Sequence, residues 1–319
     1  MKIMITGGAG FIGSKITEKL LKQNADVLIF DSFINYFPSA SNIDIKRKRD
    51  RLAIFNDRKC KIVRGSTLEI SLINRTIRDF KPNIIIHMAA IPIAKMGNIN
   101  SEEAFQGIVQ GTVNMLEVVR NYTFIDRFIY TSSSMVYGDF VRDPIRESDE
   151  KNPINIYGGA KYAGEIMVES YAKSYGIEYS IVRPSAVYGP YDLNKRVVQV
   201  FIENALSGKK LILKNPESKL DFTYVDDIAE GFLLTSTSSN AKNNTFNITT
   251  GGAKTLRDLS EIIAKYFPKL KIEIMDRDED IPERGTLDIT KATNYLNYKP
   301  RFNLETGIEE YIRYMKEIY

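Results

Sequence analysis

The sequence predicts an α/β fold, in which helices cover both faces of a parallel sheet and a smaller lobe of mixed α/β structure follows. Up to about Arg183, short runs rich in isoleucine and valine alternate with longer amphipathic stretches. Strands buried on both faces of a parallel sheet have this near-continuous apolar character, and their alternation with helices is typical of doubly wound folds. Beyond Arg183, loop signals cluster and the elements become short and mixed, which indicates the second lobe.

The elements of the first unit follow one another in regular alternation. The predicted strands span 2–6, 26–30, 61–63, 83–87, 126–131 and 178–183. The predicted helices span 14–23, 43–55, 69–80, 102–121 and 156–175, and a loop is expected at 33–42. We therefore expect one domain of residues 1–182 plus about 218–248. A second domain, of about 183–217 plus 249–319, is expected to cover the carboxyl ends of the strands, where ligands of open α/β sheets bind.

A glycine-rich turn joins the first predicted strand to the first predicted helix. Gly7 and Gly10 allow the backbone to turn and to approach a pyrophosphate without a Cβ in the way, and Gly13 allows the helix to pack closely on the strand. The helix N-terminus then faces the phosphates. Asp31, at the end of the second strand, is placed to accept hydrogen bonds from adenosine ribose hydroxyls and to repel a 2′-phosphate. These features predict a Rossmann-type domain that binds NAD in preference to NADP.

Tyr157 and Lys161 lie four residues apart in a predicted helix and therefore share one face. A phenol has a pKa of about 10 and is a poor base at neutral pH, but a neighbouring ammonium stabilises its ionised form. Lowering that pKa to about 7 takes roughly 4 kcal/mol. Lys161 and the cationic ring of a bound nicotinamide are expected to supply this stabilisation of the phenolate together. The pair predicts a tyrosine that acts as a base beside a nicotinamide cofactor.

Composition limits the classes of function. The net charge is +4 and 43% of the residues are hydrophobic, as in ordinary soluble globular proteins. The one dense basic run, 46–49 with Arg51, is interpreted as the solvated face of a short helix, because no aromatic residues are interleaved for base stacking. No nucleic-acid partner is therefore expected. The longest apolar stretch, 84–94, is too short to span a bilayer. A single cysteine, Cys60, and the lack of a signal sequence fit the cytoplasm, and no metal-ligand spacing is found.

Further motifs carry a resemblance to a known family. They are the serine-rich stretch 130–138, the stretch 87–90 after the fourth strand, and the stretches 183–190 and 221–227. Together with the glycine turn and the Tyr157/Lys161 pair, they make the chain resemble the extended short-chain dehydrogenase/reductases over essentially its whole length. Within that family the chain is similar to the nucleotide-sugar epimerases and dehydratases, and in particular to the UDP-glucose and UDP-glucuronate 4-epimerases.

The resemblance implies roles for individual residues. Tyr157 would be the general base that takes a proton from a sugar hydroxyl, Lys161 would bind the nicotinamide ribose, and Ser133 would hydrogen-bond the reacting oxygen. The expected cofactor-binding residues are Gly7, Gly10, Phe11, Ile12, Gly13, Asp31, Ser66, Ala89, Ala90, Tyr157, Lys161 and Pro184. The expected substrate-binding residues are Ser133, Ser134, Ala186, Val198, Arg196 and Arg284.

The resemblance also implies the partners. The cofactor would be NAD, and the substrate a nucleotide sugar, with a UDP-sugar as the first candidate. The assembly would be a homodimer built from the helices at 102–121 and 156–175. Its expected contact residues are Glu117, Val118, Met167 and Val168.

Departures from the family pattern narrow the expected reaction. The 4,6-dehydratases follow the catalytic serine or threonine with an aspartate and a glutamate that act as acid and base in the elimination, whereas this chain has Ser134 and Met135. A thioether cannot exchange a proton, so epimerisation is favoured over elimination unless the small lobe supplies an acid. Ser66, Ala186 and Leu220 also replace residues with which the family binds adenine or the substrate's diphosphate. Arg196 and Arg284 are expected to take over the diphosphate, because a guanidinium pairs bidentately with phosphate.

The sequence therefore predicts an NAD-dependent nucleotide-sugar epimerase that acts at C4 through a transient 4-keto-sugar. A reductase or dehydrogenase of a nucleotide keto-sugar is the first alternative, and a 4,6-dehydratase is a weaker one. A non-catalytic NAD-binding regulator is a further alternative, which the intact set of Ser133, Tyr157 and Lys161 disfavours. No short motif in the sequence identifies the sugar or the nucleobase of the substrate.

Overall fold

The computed structural model describes residues 1–36, 41–275 and 282–319. Its strands are β1 (Lys2–Thr6), β2 (Asp26–Asp31), β3 (Cys60–Arg64), β4 (Ile84–His87), β5 (Arg127–Thr131), β6 (Tyr179–Arg183), β7 (Val187–Tyr188), β8 (Leu211–Lys214), β9 (Lys219–Leu220), β10 (Thr223–Tyr224), β11 (Asn244–Asn247), β12 (Lys254–Thr255) and β13 (Ile272–Met275).

The helices alternate with these strands. They are α1 (Phe11–Lys22), α2 (Asn42–Ala53), α3 (Ile70–Phe80), α4 (Ala94–Ile99), α5 (Ser101–Ala104), α6 (Gly111–Val119), α7 (Ile156–Tyr175), α8 (Val197–Leu206), α9 (Val225–Thr237), α10 (Leu256–Tyr266), α11 (Thr290–Leu296) and α12 (Leu304–Ile318). A π-helical turn, Phe105–Gln110, joins α5 to α6, and 3₁₀ turns lie at Ile54–Asn56, Ser134–Tyr137 and Ser239–Ala241.

Seven of the strands form one parallel sheet in the order β11-β6-β5-β4-β1-β2-β3. The chain builds outward from β1 to β3 and then returns to place β4 on the other side of β1. The order therefore reverses between β1 and β4. In open α/β sheets a ligand crevice forms at the carboxyl ends of the strands at such a point. The predicted fold class, a doubly wound parallel sheet with a smaller mixed lobe, is confirmed.

Alternate residues of the inner strands β1, β2, β4, β5 and β6 contribute to two cores, one on each face of the sheet. In β1, Ile3 and Ile5 belong to the core shared with α1 and α9, whereas Met4 belongs to the core shared with α3, α6 and α7. This alternation is what a strand buried on both faces requires, because successive side chains point to opposite faces.

Some predicted boundaries were wrong, for local reasons. Helix 156–175 is as predicted, but the helix predicted at 102–121 is divided into α5, a π-helical turn and α6. Helix α4 was missed, because it begins only at the end of the apolar run 84–94 and its six-residue length shows little periodicity. Of the predicted loop 33–42, residues 37–40 lie outside the described residues.

The C-terminal part of the chain builds a separate core. Apolar side chains of α8, α10 and α12 pack with those of β8 and with Tyr188, Phe222 and Tyr224. Between the parts that form that core, the chain returns to the sheet, where α9 packs on α1 and β11 pairs with β6. Within the described residues, no helix combines the length and the apolar character that crossing a membrane requires.

A buried ion pair fixes α7 to the sheet. The Arg183 guanidinium donates to both carboxylate oxygens of Glu165 (Nε to Oε1 2.8 Å, Nη2 to Oε2 2.6 Å), and both side chains are 3% exposed. Arg183 also donates to the hydroxyl of Tyr137 at 2.8 Å. Bidentate pairing is geometrically specific, so it sets the position of α7 relative to β6.

Candidate active site

A cavity of about 1270 Å³ lies at the carboxyl ends of the sheet strands, where the strand order reverses. This volume exceeds that of ordinary small-molecule sites, which hold ligands smaller than a dinucleotide. Nearly all of the residues predicted from the sequence line it: Gly7, Gly10, Phe11, Ile12, Gly13, Asp31, Ser66, Ala89, Ala90, Ser133, Tyr157, Lys161, Pro184, Ala186, Arg196, Val198 and Arg284.

The glycine turn forms a cradle that only glycines allow. A Cβ at Gly13 would lie 2.6 Å from the carbonyl oxygen of Gly7, and a Cβ at Gly7 would lie 2.9 Å from the amide nitrogen of Ala89. Gly7 also has a φ of +70°, which residues with a side chain rarely adopt. The first turn of α1 follows, and no side chain caps its amide groups. A backbone that approaches this closely, with free N–H groups at a helix N-terminus, fits the pyrophosphate of a dinucleotide.

Asp31 is held in a fixed orientation at the far end of the turn. Its Oδ2 accepts from the Ala9 amide at 2.9 Å and its Oδ1 accepts from the Phe33 amide at 2.7 Å. Burial raises the pKa of the Asp31 carboxyl, while these hydrogen bonds and Arg51 oppose the effect. Each carboxylate oxygen keeps a lone pair for a further donor, so the geometry suits a ribose diol.

The predicted catalytic side chains come together at the other end of the cavity. Helix α7 begins at Ile156, where Asn155 caps it by accepting from the Gly158 amide at 2.8 Å. Tyr157 and Lys161 therefore stand on its first two turns. The Lys161 ammonium donates to the Thr131 carbonyl at 2.7 Å and lies 5.9 Å from the centre of the Tyr157 ring. Ser133 follows β5 and lines the same end of the cavity, where its hydroxyl accepts from the Met135 amide at 3.2 Å.

The electrostatics differ from the sequence expectation. Burial raises the pKa of the Tyr157 phenol, and the charge of Arg196 and the Ser133 hydroxyl act in the opposite direction. Burial also lowers the pKa of Lys161 to about 7, against the charge of Glu165 one turn later. Lys161 thus contacts the Thr131 carbonyl and the rings of Tyr130 and Tyr157. The chain's own residues therefore leave the phenol protonated at neutral pH.

His87, the one histidine in the sequence, is a structural residue. Its ring nitrogens pair with the hydroxyls of Thr6 at 2.7 Å and Thr112 at 3.1 Å. Burial, together with the charge of Lys161, lowers the pKa of His87 to about 3. A neutral imidazole with both nitrogens engaged does not exchange protons with a ligand.

Ser134 is the exception among the predicted site residues, because it does not line the cavity. It is 1% exposed and its hydroxyl donates to that of Ser185 at 3.2 Å. The direct substrate contact expected of Ser134 is thus not supported, since the 3₁₀ turn directs this side chain into the protein. Met135, the next residue, does line the cavity. Among the described residues, the carboxylates on the cavity wall are Asp31 and Glu103, and Asp31 lies at the glycine-turn end.

The two arginines expected to bind a diphosphate differ in their surroundings. Arg196 is already engaged, because its guanidinium donates to Asp192 at 2.8 Å and to the Pro92 carbonyl at 2.9 Å. Arg284 has a buried Nε with no hydrogen-bond partner among the described residues, and burial lowers the pKa of its guanidinium to about 10. Of the two, Arg284 is the better candidate for an anionic ligand.

The interpretation of the basic run as a solvated face was wrong for two of its residues. Arg47 of α2 is 1% exposed and donates to the Asp192 carbonyl at 3.0 Å and to Glu203 at 2.6 Å. Arg51, one turn later on the same face, lines the cavity near Asp31. The four-residue spacing of Arg47 and Arg51 places them on one face of the helix, and it was the signal in the sequence that both could be buried. Arg49, on another face, is 75% exposed as expected.

Comparison with known proteins agrees with this arrangement. Residues 3–249 match the model of the NAD dependent epimerase/dehydratase family. A putative UDP-glucose 4-epimerase of Methanocaldococcus jannaschii is 34% identical over 98% of both chains. UDP-glucuronate 4-epimerase 1 of Arabidopsis thaliana is 28% identical over 100% of this chain and 77% of that protein.

Solved structures are similar over the whole chain. The UDP-glucuronic acid 4-epimerase of Bacillus cereus, in complex with UDP-glucuronic acid and NAD, superposes with a TM-score of 0.91 at 26% identity and covers 100% of both chains. The UDP-glucose 4-epimerase of Thermotoga maritima, with UDP-glucose, has a TM-score of 0.88 at 27% identity over 99% of both chains. Because the family model matches most of the chain and the archaeal relative is 34% identical along 98% of it, the protein belongs to the NAD dependent epimerase/dehydratase family.

Proposed function

We propose that the protein is an NAD-dependent epimerase that inverts C4 of a nucleotide sugar, with a UDP-sugar as the first candidate. The observation that carries the proposal is one cavity with a pyrophosphate cradle at one end and Ser133, Tyr157 and Lys161 at the other. The 4-epimerases among its relatives and structural neighbours support the reaction, and the neighbours with bound NAD support the cofactor.

In this proposal the chain's own residues transfer one proton and orient the sugar and the cofactor. Tyr157 takes the proton of the sugar's C4 hydroxyl, and Ser133 holds the same oxygen and the phenol in line. Lys161, fixed by the Thr131 carbonyl, binds the nicotinamide ribose. Bound NAD supplies the hydride acceptor and a positive charge that favours the phenolate. With NAD held by the glycine cradle and Lys161 to exchange a hydride with C4, Tyr157 would return its proton to the same sugar oxygen, so that C4 would be inverted without net oxidation.

The composition of the cavity wall separates this reaction from elimination. A 4,6-dehydratase needs an acid to protonate the leaving hydroxyl and a base at C5, but Met135 and the buried Ser134 stand at those positions. The described carboxylates of the wall are Asp31 and Glu103, and Asp31 is assigned to the ribose. A keto-sugar reductase uses the same residues as the epimerase and differs in releasing its cofactor, so it is the alternative to test.

Proton NMR of the purified protein with UDP-glucose, UDP-glucuronate and UDP-N-acetylglucosamine tests the proposal. We expect a new anomeric signal at unchanged mass without added cofactor, with the small H3–H4 coupling of an axial 4-hydroxyl. A product lacking water would identify a dehydratase. Turnover only of a keto-sugar with NADH would identify a reductase, and either result would replace the proposed function.

We expect Arg284→Met to weaken nucleotide-sugar binding by about 10- to 100-fold, the loss typical of a charge-assisted phosphate contact. The thermal midpoint should not fall, because the change removes a partly buried charge whose Nε has no partner among the described residues. Isothermal titration with UDP and a melting curve measure both effects. Arg146→Met is the matched control, since its side chain is 55% exposed beside Asp288. Unchanged UDP affinity in the Arg284 variant would remove that residue from the substrate site.

The proposal also covers the division of the chain and its assembly. We propose that residues 1–182 plus about 218–248 bind NAD and that the remainder binds the nucleotide sugar. We also propose a cytoplasmic homodimer that supplies a sugar donor for polysaccharide assembly. Two of the expected dimer contacts, Val118 and Val168, are buried in the chain's own core, whereas Phe105 and Ile166 of the same helical layer are 55% and 46% exposed. Phe105 and Ile166 are therefore better candidates for contacts across the proposed dimer.

A further inference from the structure

The segment that carries Arg284 belongs to neither a helix nor a sheet. Residues 283–287, here called the strap, form an isolated bridge between Leu287 and Ile145. Arg284 lines the cavity from the strap, and burial lowers the pKa of its guanidinium to about 10. Because an irregular segment has no ladder of backbone hydrogen bonds to fix it, the position of Arg284 depends on other contacts.

Carboxylates accept hydrogen bonds from the strap on both sides of Arg284. The Glu283 amide donates to Oδ1 of Asp139 at 2.7 Å, and the Thr286 amide donates to Oδ1 of Asp143 at 2.9 Å. Hydrogen bonds from an amide to a carboxylate are roughly twice as strong as those between neutral groups. The two aspartates therefore fix the backbone one residue before and two residues after Arg284.

The loop that carries both aspartates runs beside the strap. The Phe140 amide donates to the Glu283 carbonyl at 2.9 Å, and the Ile145 amide donates to the Thr286 carbonyl at 2.9 Å. These backbone bonds place the loop at 139–145 against the strap, so that the carboxylates reach its amides. The loop and the strap therefore behave as one unit.

Gly285 shows how closely Asp143 approaches the strap. The φ of Gly285 does not require a glycine, but a Cβ there would lie 2.7 Å from Oδ2 of Asp143. The carboxylate thus occupies the space of a side chain directly after Arg284. Neither Asp139 nor Asp143 lines the cavity. Each can therefore act on a ligand in the cavity through the strap or through its charge, and not by contact.

We propose that Asp139 and Asp143 are positioning residues, which hold Arg284 in place for the diphosphate of the nucleotide sugar. The inference rests on the proposed function, which gives Arg284 that ligand. The sign of the effect separates positioning from charge. A carboxylate near an anion site weakens anion binding by its charge, so its removal would strengthen binding. Positioning gives the opposite result, because a loosened strap leaves the guanidinium free to adopt other orientations.

Isothermal titration of the full-length protein with UDP tests the inference. We expect Asp143→Ala to weaken UDP binding at least about fivefold, and Asp139→Ala to act in the same direction. Asp143→Asn keeps an oxygen that accepts from the Thr286 amide, so its affinity should stay within about twofold of wild type. Asp79→Ala, which removes an equal charge from a side chain of α3 that is 62% exposed, is the control and should change nothing.

A double-mutant cycle connects the effect to the guanidinium. In the Arg284→Met background, Asp143→Ala should weaken UDP binding by less than about twofold, because no guanidinium is left to be positioned. Gly285→Ala reaches the same contact from the strap. It should displace the Asp143 carboxylate and weaken UDP binding, but it should cost nothing in the Asp143→Ala background, where the clash is absent. This second variant decides if Asp143→Ala does not fold.

The possible failures can be told apart. If Asp143→Ala leaves UDP affinity unchanged or strengthens it, Asp143 does not position Arg284 and the inference is overturned. A loss of affinity in Arg284→Met would still support the proposed substrate site. If Asp143→Ala weakens binding equally in wild type and in Arg284→Met, it acts through the fold at large, which also overturns the inference. If Arg284→Met itself binds UDP as wild type does, the diphosphate assignment fails and the inference fails with it.

Discussion

Tyr157→Phe should reduce turnover by about 10²- to 10⁴-fold, the range typical of general acid–base catalysis. Phenylalanine keeps the ring, which packs near Lys161, and removes only the hydroxyl that is proposed to take the proton. Helix α7 and the glycine cradle are untouched, so bound NAD should be retained. Turnover is measured by NMR and bound dinucleotide by its release on denaturation.

The matched control is Tyr162→Phe. It removes the same atom from the same helix, at a residue that packs against a separate small cluster and does not line the cavity. Full turnover is expected for this control. If Tyr157→Phe also retained activity near that of wild type, another group would have to move the proton, and the assignment of Tyr157 as the base would be wrong.

The features of the fold that depend on local sequence were predictable. Strands buried on both faces leave an unbroken apolar run, and the turn at Gly7 and Gly13 is required by contacts of 2.9 Å and 2.6 Å that a side chain could not make. Helix α7 was predictable because Asn155 caps its start and Gly176, with a φ of +71°, ends it. Helix α4 was not, because six residues hold less than two turns of periodicity.

The features of the site that depend on tertiary contacts were not predictable. Arg51 reads in the sequence as one more cation of a basic run, and only the packing of α2 beside residues 191–196 directs it into the cavity. Ser134 reads as a substrate contact, but the 3₁₀ turn after Ser133 directs it to Ser185. The charge state of Lys161 depends on burial, which its position four residues after Tyr157 does not reveal. In each case the residue type was visible and its environment was not.

Lys161→Met should abolish turnover and yet stabilise the fold at neutral pH. The Lys161 side chain is 3% exposed, and burial lowers the pKa of its ammonium from 10.5 to about 7. That difference corresponds to a cost of about 5 kcal/mol at most, which the lost hydrogen bond to Thr131 offsets in part. A methionine of similar shape removes the charge, so the free energy of unfolding should rise at pH 7 and below.

The sign of the pH dependence makes this prediction specific. Below about pH 7, Lys161 is protonated in both the folded and the unfolded state, and wild type bears the whole cost of the buried charge. Between about pH 7 and 10.5 the unfolded state binds more protons, so the stability of wild type rises with pH through this range. The advantage of Lys161→Met should therefore shrink from pH 6.5 to pH 10, as measured by urea unfolding.

Lys22→Met, at a side chain that is 70% exposed, should show no such trend. Parallel stability curves for wild type and Lys161→Met would mean that Lys161 is not a buried charge. Its role beside the phenol would then have to be one of hydrogen bonding alone. If the two stability curves instead converge as the pH rises, the buried ammonium of Lys161 lowers the stability of the fold. Such a cost is common for residues that are retained for catalysis.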